Sequence, residues 1–273
     1  MNTKLKTIPQ LILQAQGVDL SKYNDVFLNK SVLNRMKDTY CNSELEYINF
    51  MEKSSIESEI FLNTIQISYS EFFRNSLTYS VLEKIIIPSI AMKTATRKGK
   101  EIRIWSAACA GGQETYSLAM LIHEFSNCHE GKINFRIFAT DQSEKQIQDA
   151  QMGQYTESEL KYLSLKRVKQ WFSKSGEKYT VKPELKENID FSVFDLLNEQ
   201  YSCPPTSIFG NFDLIVCANL LFYYKPEYQK KIIQKSSNCL ISNGYLMTGE
   251  TERDILIQSG FHEVFPLTAI FKI

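Results

Sequence analysis

Three acidic side chains in this chain each follow an apolar, strand-like run: Glu114, Asp141 and Asp195. Glu114 lies just beyond the small-residue turn Ala107-Ala108-Cys109-Ala110-Gly111-Gly112, which follows the run 101–106. Small residues let a backbone approach a ligand closely. The turn is not G-x-G-x-x-G, the spacing that cradles a pyrophosphate, and a Glu at the start of the next helix repels phosphate. Such a carboxylate suits an ammonium or a sulfonium-bearing amino acid; equally, a first-turn Glu stabilises the helix dipole. Asp141 closes the run 134–141, where a carboxylate can accept both hydroxyls of a ribose or cap the following helix. Asp195, in Phe194-Asp195-Leu196, is placed to meet an adenine amino group or to form a turn. Together, a ribose acid, an adenine acid and a turn not built for phosphate favour S-adenosylmethionine over NAD. A fourth run, 212–217, ends at Ala218 and Asn219, followed by Leu220-Leu221-Phe222-Tyr223-Tyr224. Asn219 and the Tyr pair lie either beside a transferred group or in the core.

Acids at strand ends need a sheet to bring them together. From residue 98 onward strands alternate with helices: strands at 101–106, 134–141, 188–195, 212–217 and 244–248, a last strand within 261–273, and helices at 114–125, 143–152 and 226–240. This alternation predicts a parallel sheet with helices on both faces. The last two strands lack a helix-length crossover, which predicts a reversed hairpin at one edge. Ligands of such sheets bind at the carboxyl ends of the strands. The first 65 residues instead show helical spacing, with cap-like groups at Asp19-Leu20-Ser21, Asn42-Ser43 and Ser54-Ser55, and predict a small helical bundle. Between 161 and 186 the chain holds eight Lys/Arg against two Glu. Such a run is a solvated face or a docking surface for an acidic partner.

Composition narrows the function class. Lys+Arg and Asp+Glu both number 31, so there is no basic excess of the kind that coats nucleic acid. No stretch approaches the roughly 18 apolar residues of a membrane-spanning helix, and Met1-Asn2-Thr3-Lys4-Leu5 does not open a secretory signal. Six scattered cysteines without C-x-x-C predict neither a disulfide frame nor a cysteine metal site, and a cytoplasmic location.

In order along the chain stand Ser70-Glu71-Phe72-Phe73-Arg74, Ile104-Trp105-Ser106-Ala107-Ala108-Cys109, Ala139-Thr140-Asp141, Gly153-Gln154-Tyr155 and Phe212-Asp213-Leu214-Ile215-Val216-Cys217-Ala218-Asn219. These segments resemble the CheR family of chemotaxis receptor methyltransferases over nearly the whole chain. The resemblance implies a class I S-adenosylmethionine-dependent methyltransferase with a Rossmann-like, seven-stranded α/β sheet ending in a reversed hairpin. A small all-α domain at 1–75 would precede the catalytic domain at 76–273, which would carry a short β-containing insertion at about 156–190. The implied reaction is methyl esterification of glutamate side chains on a chemoreceptor's cytoplasmic helical bundle, with S-adenosylhomocysteine as the product and no metal. Family positions for the cofactor fall on Ser68, Ser70, Arg74, Glu114, Asp141, Asp195, Leu196, Cys217, Ala218 and Asn219. Arg74 and Tyr223 would be the catalytic pair.

Some positions depart from the family pattern. Ser70 replaces the usual Thr, Ala218 an Arg, and Asn34-Arg35 a paired Arg on the basic N-terminal helix. Gly-Glu-Glu-Pro becomes Gly112-Gln113-Glu114-Thr115, and Gly-His-Ser-Glu becomes Gly249-Glu250-Thr251-Glu252. The insertion is short around Lys174-Ser175-Gly176-Glu177, which implies no tethering to a receptor C-terminal peptide. A monomer that neither enters the membrane nor binds nucleic acid is expected. A methyltransferase of the same family acting on another protein, or a non-catalytic module that binds the cofactor or a receptor, stay open as alternatives. A Glu carboxylate is already ionised at neutral pH, with a reference pKa of about 4.3, so this transfer needs no general base. That fits a chain whose three His (His123, His129, His262) lie outside every candidate motif.

Overall fold

The computed structural model describes residues 6–65, 69–97, 99, 101–128 and 133–273. The chain forms two compact units. One is Met1–Ile67 with Phe222–Gln229; the other is Ser68–Leu221 with Lys230–Ile273.

The first unit is helical, with α1 (Ile8–Gln16), α2 (Asp25–Asp38), α3 (Glu44–Lys53) and α4 (Ser55–Ile65). Asn24, rather than the Asp19 group, caps α2 by accepting from the Val26 N–H at 2.9 Å. Asp19 instead closes a turn, accepting from the backbone N–H and the hydroxyl of Ser21. Ser43 caps α3. Inside the bundle the Glu57 carboxylate, 3% exposed, receives both Nε and Nη2 of Arg35 (3.0 and 2.8 Å) and the Tyr47 hydroxyl (2.7 Å). Burial, then the bond to Glu57, raises the Tyr47 pKa. Tyr224 stacks on Tyr23 at 5.2 Å, and Asn24 N–H donates to the Tyr223 carbonyl, so the segment after residue 221 belongs to this unit.

The second unit opens with α5 (Ser76–Val81), which runs through a π-turn (Leu82–Ile86) into α6 (Ile87–Ala95). Then come β1 (Glu101–Ala107), α7 (Gln113–Asn127), β2 (Asn134–Asp141) and α8 (Glu144–Met152), which Gly153 ends at φ 59°. The insertion follows: β3 (Gln154–Thr156), α9 (Leu165–Trp171), β4 (Phe172–Ser175), β5 (Lys178–Val181) and α10 (Pro183–Lys186). The chain then returns through β6 (Ile189–Val193), β7 (Phe212–Cys217), α11 (Pro226–Cys239), β8 (Leu240–Thr248), α12 (Arg253–Gln258) and β9 (Ile270–Lys272). The main sheet runs β6-β2-β1-β7-β8-β9, parallel except for the antiparallel β9. Its reversed edge is as expected, but among the described residues it has six strands rather than seven. Where a seventh would lie there is only the single bridge Glu263–Phe271. Leu267 and Ala269 take φ of 67° and 55°, incompatible with a ladder, and the Glu263 carboxylate accepts their N–H groups to close a turn.

The insertion is a three-stranded antiparallel sheet, β3-β5-β4, with a two-residue turn at Gly176-Glu177. It packs on the unit's core through aromatic edges, Phe72 meeting Tyr155 at 4.9 Å and Phe172 at 5.7 Å. Its basic run is partly structural. Arg167 grips Glu124 through Nε and Nη2 and lies over the Phe73 ring, while Lys182 and Lys186 donate to main-chain carbonyls. Arg167, Lys182 and Lys186 thus have partners within the fold as well as a place in the basic run. No helix among the described residues is long and apolar enough to cross a membrane.

Candidate active site at the carboxyl ends of the sheet

Four neighbouring strands, β6-β2-β1-β7, end together, and their register brings the sequence-selected acids to one rim. Asp141 pairs with Val193, two residues before Asp195, and Phe194 N–H donates to the Asp141 carbonyl at 2.9 Å. Ser106 of β1 pairs with Ala139 and with Val216, one residue before Cys217.

The β1–α7 turn is held under strain. Ala108 and Ala110 adopt φ of 61° and 46°, a region that costs a residue with a side chain about 1–3 kcal/mol. Three bonds hold it there. Cys109 N–H donates to the Thr140 carbonyl (2.8 Å), Ala110 N–H to Asp141 Oδ2 (3.0 Å), and the Tyr155 hydroxyl to the Gly111 carbonyl (2.6 Å). Gly112, at φ 89°, lies so close to α8 that a Cβ there would stand 3.1 Å from the Ala150 Cβ. The small residues thus answer to backbone conformation and to packing as well as to ligand approach.

Asp141 is half-buried. Burial raises its pKa, opposed by N–H bonds from Ser143, Ala110 and Gln142. Ser143, not Asp141, caps α8. Asp141 thus shapes the turn, and its oxygens retain lone pairs for a diol. Asp195 makes the turn that was its alternative reading: Oδ1 accepts from Leu197 N–H at 2.8 Å, and Leu196 beside it is buried.

Glu114 stands in the first turn of α7. The Ser106 hydroxyl donates to its Oε1 at 2.9 Å and itself accepts from the Thr115 hydroxyl at 3.0 Å. The residue as a whole is half-buried, and burial of the carboxyl drives its pKa up to about 8. The Ser106 bond opposes this, the Glu252 charge adds to it, and the Arg74 charge pulls it down. Arg74 is therefore electrostatically within reach of Glu114. It is half-buried, lies over the Tyr69 ring at 5.6 Å and has no ion pair among the described residues. Ser70 is half-buried on the same segment; Ser68 lies outside the described residues.

Cys217 is buried, its thiol pushed well up by burial and by the charges of Glu252 and Glu114. Asn219, at φ 60°, gives its N–H to Glu252 Oε2 at 2.8 Å. Tyr223 lies in the helical unit, against Phe27 at 4.9 Å. The rim thus collects Glu114, Asp141, Asp195, Leu196, Cys217, Ala218 and Asn219, with Arg74 acting on Glu114. In the sequence Ser106 and Thr115 are indistinguishable from ordinary strand and helix residues. Glu252 stands there only as the end of a variant motif, whose retained acid is the available signal.

An acid-lined rim with no phosphate-binding turn suits a cationic amino acid joined to a nucleoside. The sequence model of the family described as "CheR methyltransferase, SAM binding domain" matches residues 68–265. This chain belongs to the CheR methyltransferase family. It is 29% identical over 255 residues to the chemotaxis protein methyltransferase of Borreliella burgdorferi, spanning 91% of this chain and 87% of that one. To the Listeria innocua protein of the same name it is 30% identical over 237 residues, spanning 87% and 85%. To chemotaxis protein methyltransferase 1 of Pseudomonas aeruginosa it is 30% identical over 263 residues, spanning 88% and 92%. The sheet unit is thus the core of an S-adenosylmethionine-dependent methyltransferase, and the CheR assignment accords with the acid-lined rim.

Proposed function

We propose that this CheR-family enzyme esterifies glutamate side chains on the helical cytoplasmic part of chemoreceptors. The rim of carboxylates at the ends of β1, β2 and β6, within a CheR domain, carries this reading. When bound, S-adenosylmethionine supplies an electrophilic methyl group on a sulfonium. Asp141 accepts the ribose hydroxyls, Asp195 and Leu196 border the adenine, and Glu114 meets the amino-acid ammonium. Ser70, Cys217, Ala218 and Asn219 line the remainder; Ser68 is assigned there on the resemblance alone. Arg74 holds the incoming carboxylate, whose fork a guanidinium matches. Tyr223 is assigned to the acceptor side on the resemblance alone. The accepting Glu arrives ionised, so the enzyme's task is alignment and exclusion of water, effects that can supply about 7–11 kcal/mol. Incubation with radiolabelled S-adenosylmethionine and membranes of the source cell should label a receptor-sized band. Label confined to other proteins would favour a different substrate of the same chemistry.

Glu114 gives this reading a pH signature. Its pKa of about 8 means that it is largely protonated at neutral pH before cofactor arrives. An ammonium beside it favours the ionised form, so binding lowers that pKa and releases a proton. Affinity should therefore rise as pH increases from 6 to 7.5, by at most about tenfold per unit, and Glu114→Gln should flatten the rise. Calorimetry in buffers of different ionisation enthalpy counts the proton; no release at pH 7 would remove Glu114 from the ammonium site.

Docking would use α2. Lys30 and Lys37 are exposed there, whereas Arg35 is committed to Glu57. Salt should slow methylation, since exposed charges are screened beyond about 8 Å at physiological ionic strength. The double change Lys30→Glu/Lys37→Glu should slow it further at unchanged cofactor affinity. A rate indifferent to both, or one lost on deleting the receptor's C-terminal tail, would contradict docking by charge without a tether.

A further inference from the structure

We infer that Glu252 is a positioning residue for methyl transfer, acting through the backbone of residues 219–221; the inference rests on the reading just given. Glu252 closes a short 3-10 turn after β8 and is fully buried. Its Oε2 accepts the N–H groups of Asn219 and Gly249, both at 2.8 Å, and its Oε1 that of Leu221 at 2.6 Å. Leu220 N–H also donates to this carboxylate. Among the described residues no Lys or Arg forms an ion pair with it; burial raises its pKa, and the four N–H groups oppose that rise. A buried carboxylate is a costly way to tie down a loop, because an ion loses its hydration there.

The loop it holds explains the arrangement. It leaves β7 at the rim, beside Cys217, and carries Asn219 in the left-handed region, where an unsupported residue would relax. Asn219 is pinned from a second side by Gly249. That glycine has an ordinary φ of −71°, so conformation does not demand it. Space does: a Cβ there would lie 2.8 Å from Asn219 Oδ1 and 2.9 Å from its backbone N. The Gly249–Glu252 turn therefore fixes both the main chain and the side chain of Asn219. Misplacement by about 1 Å, even through a residue that does not touch the reactants, can cost about a hundredfold in rate.

Two variants disturb the lock differently. Glu252→Gln turns one acceptor oxygen into an amide NH2 that faces N–H donors. Gly249→Ala displaces Asn219 and leaves the carboxylate in place. Each should lower kcat about a hundredfold, whereas calorimetric affinity for S-adenosylmethionine, which keeps its contacts at Asp141, Asp195 and Glu114, should change by no more than about tenfold. The double variant should fall no further than the worse single one, because both act on the same loop. Amide resonances of Asn219 and Leu221 give a readout that needs no acceptor. Their shift on cofactor binding should be present in the parent enzyme and lost in both variants. Should Glu252→Gln fail to fold, Gly249→Ala carries the kinetic and the NMR test. A lower Tm with unchanged kcat, or a cofactor-induced shift retained in the variants, would make Glu252 structural only. Loss of cofactor affinity in step with kcat would equally overturn the inference. A parent enzyme that binds cofactor but labels no receptor counts against the receptor reading, and the NMR comparison still decides the role of Glu252.

Discussion

Asp141→Ala is expected to weaken S-adenosylmethionine binding by at least about ten- to a hundredfold. A lost charge-assisted hydrogen bond costs about 1.5–3 kcal/mol, which sets the lower range. The structure adds a second loss. The same carboxylate receives the N–H groups of Ala110 and Ser143 at 3.0 and 2.9 Å, so its removal also frees the strained Ala108–Ala110 turn. Asp141→Asn should recover part of the turn, since an amide oxygen replaces one acceptor. Asp141 is the last residue of β2, at the rim rather than in the apolar core, so the thermal transition should stay cooperative. Calorimetry checks this: wild-type affinity in Asp141→Ala would remove the residue from the site. NAD bound more tightly than S-adenosylmethionine by the parent protein would overturn the cofactor assignment.

Arg74→Ala should reduce transfer by about a hundredfold or more, and reduce cofactor affinity far less. Arg74 has no ion pair among the described residues, which leaves its guanidinium available to a substrate carboxylate. Its charge also holds down the Glu114 pKa. Removing it should therefore move the pH dependence of cofactor binding to higher pH, a change that a purely structural Arg would not produce. Arg74→Lys should recover the position of that profile better than the rate, because an ammonium keeps the charge and loses the fork. Activity within about threefold of wild type in Arg74→Ala would assign Arg74 to structure.

The strand ends were legible because apolar runs ending in a small residue or an acid are local signals. Glu101–Ala107, Asn134–Asp141 and Phe212–Cys217 lie within a residue or so of the expected spans. What depends on distant partners was not legible. Arg35 read as one more surface cation, and only the fold brings Glu57 and Tyr47 against it. Arg167 likewise waits for Glu124, 43 residues away in the chain. The edge of the sheet was expected to hold another strand, yet the positive φ of Leu267 and Ala269 reduces it to one bridge. Neither residue type advertises that conformation. Within the candidate site, the acids announced themselves by type and place. Ser106 and Glu252 act on Glu114 and Asn219 from other elements, and no spacing in the sequence expresses that geometry.

The proposed product is a glutamate methyl ester, and its bond can be tested directly. Receptor-containing membranes labelled by the enzyme from radioactive S-adenosylmethionine should release the label as volatile methanol on mild alkaline treatment. Peptides from the labelled band should carry the methyl group on Glu side chains. A carboxyl ester is hydrolysed by base, whereas a methyl group on nitrogen or on an ether oxygen is not. Label that survives alkali, or maps to residues other than Glu, would contradict the account even if cofactor binding behaves as described.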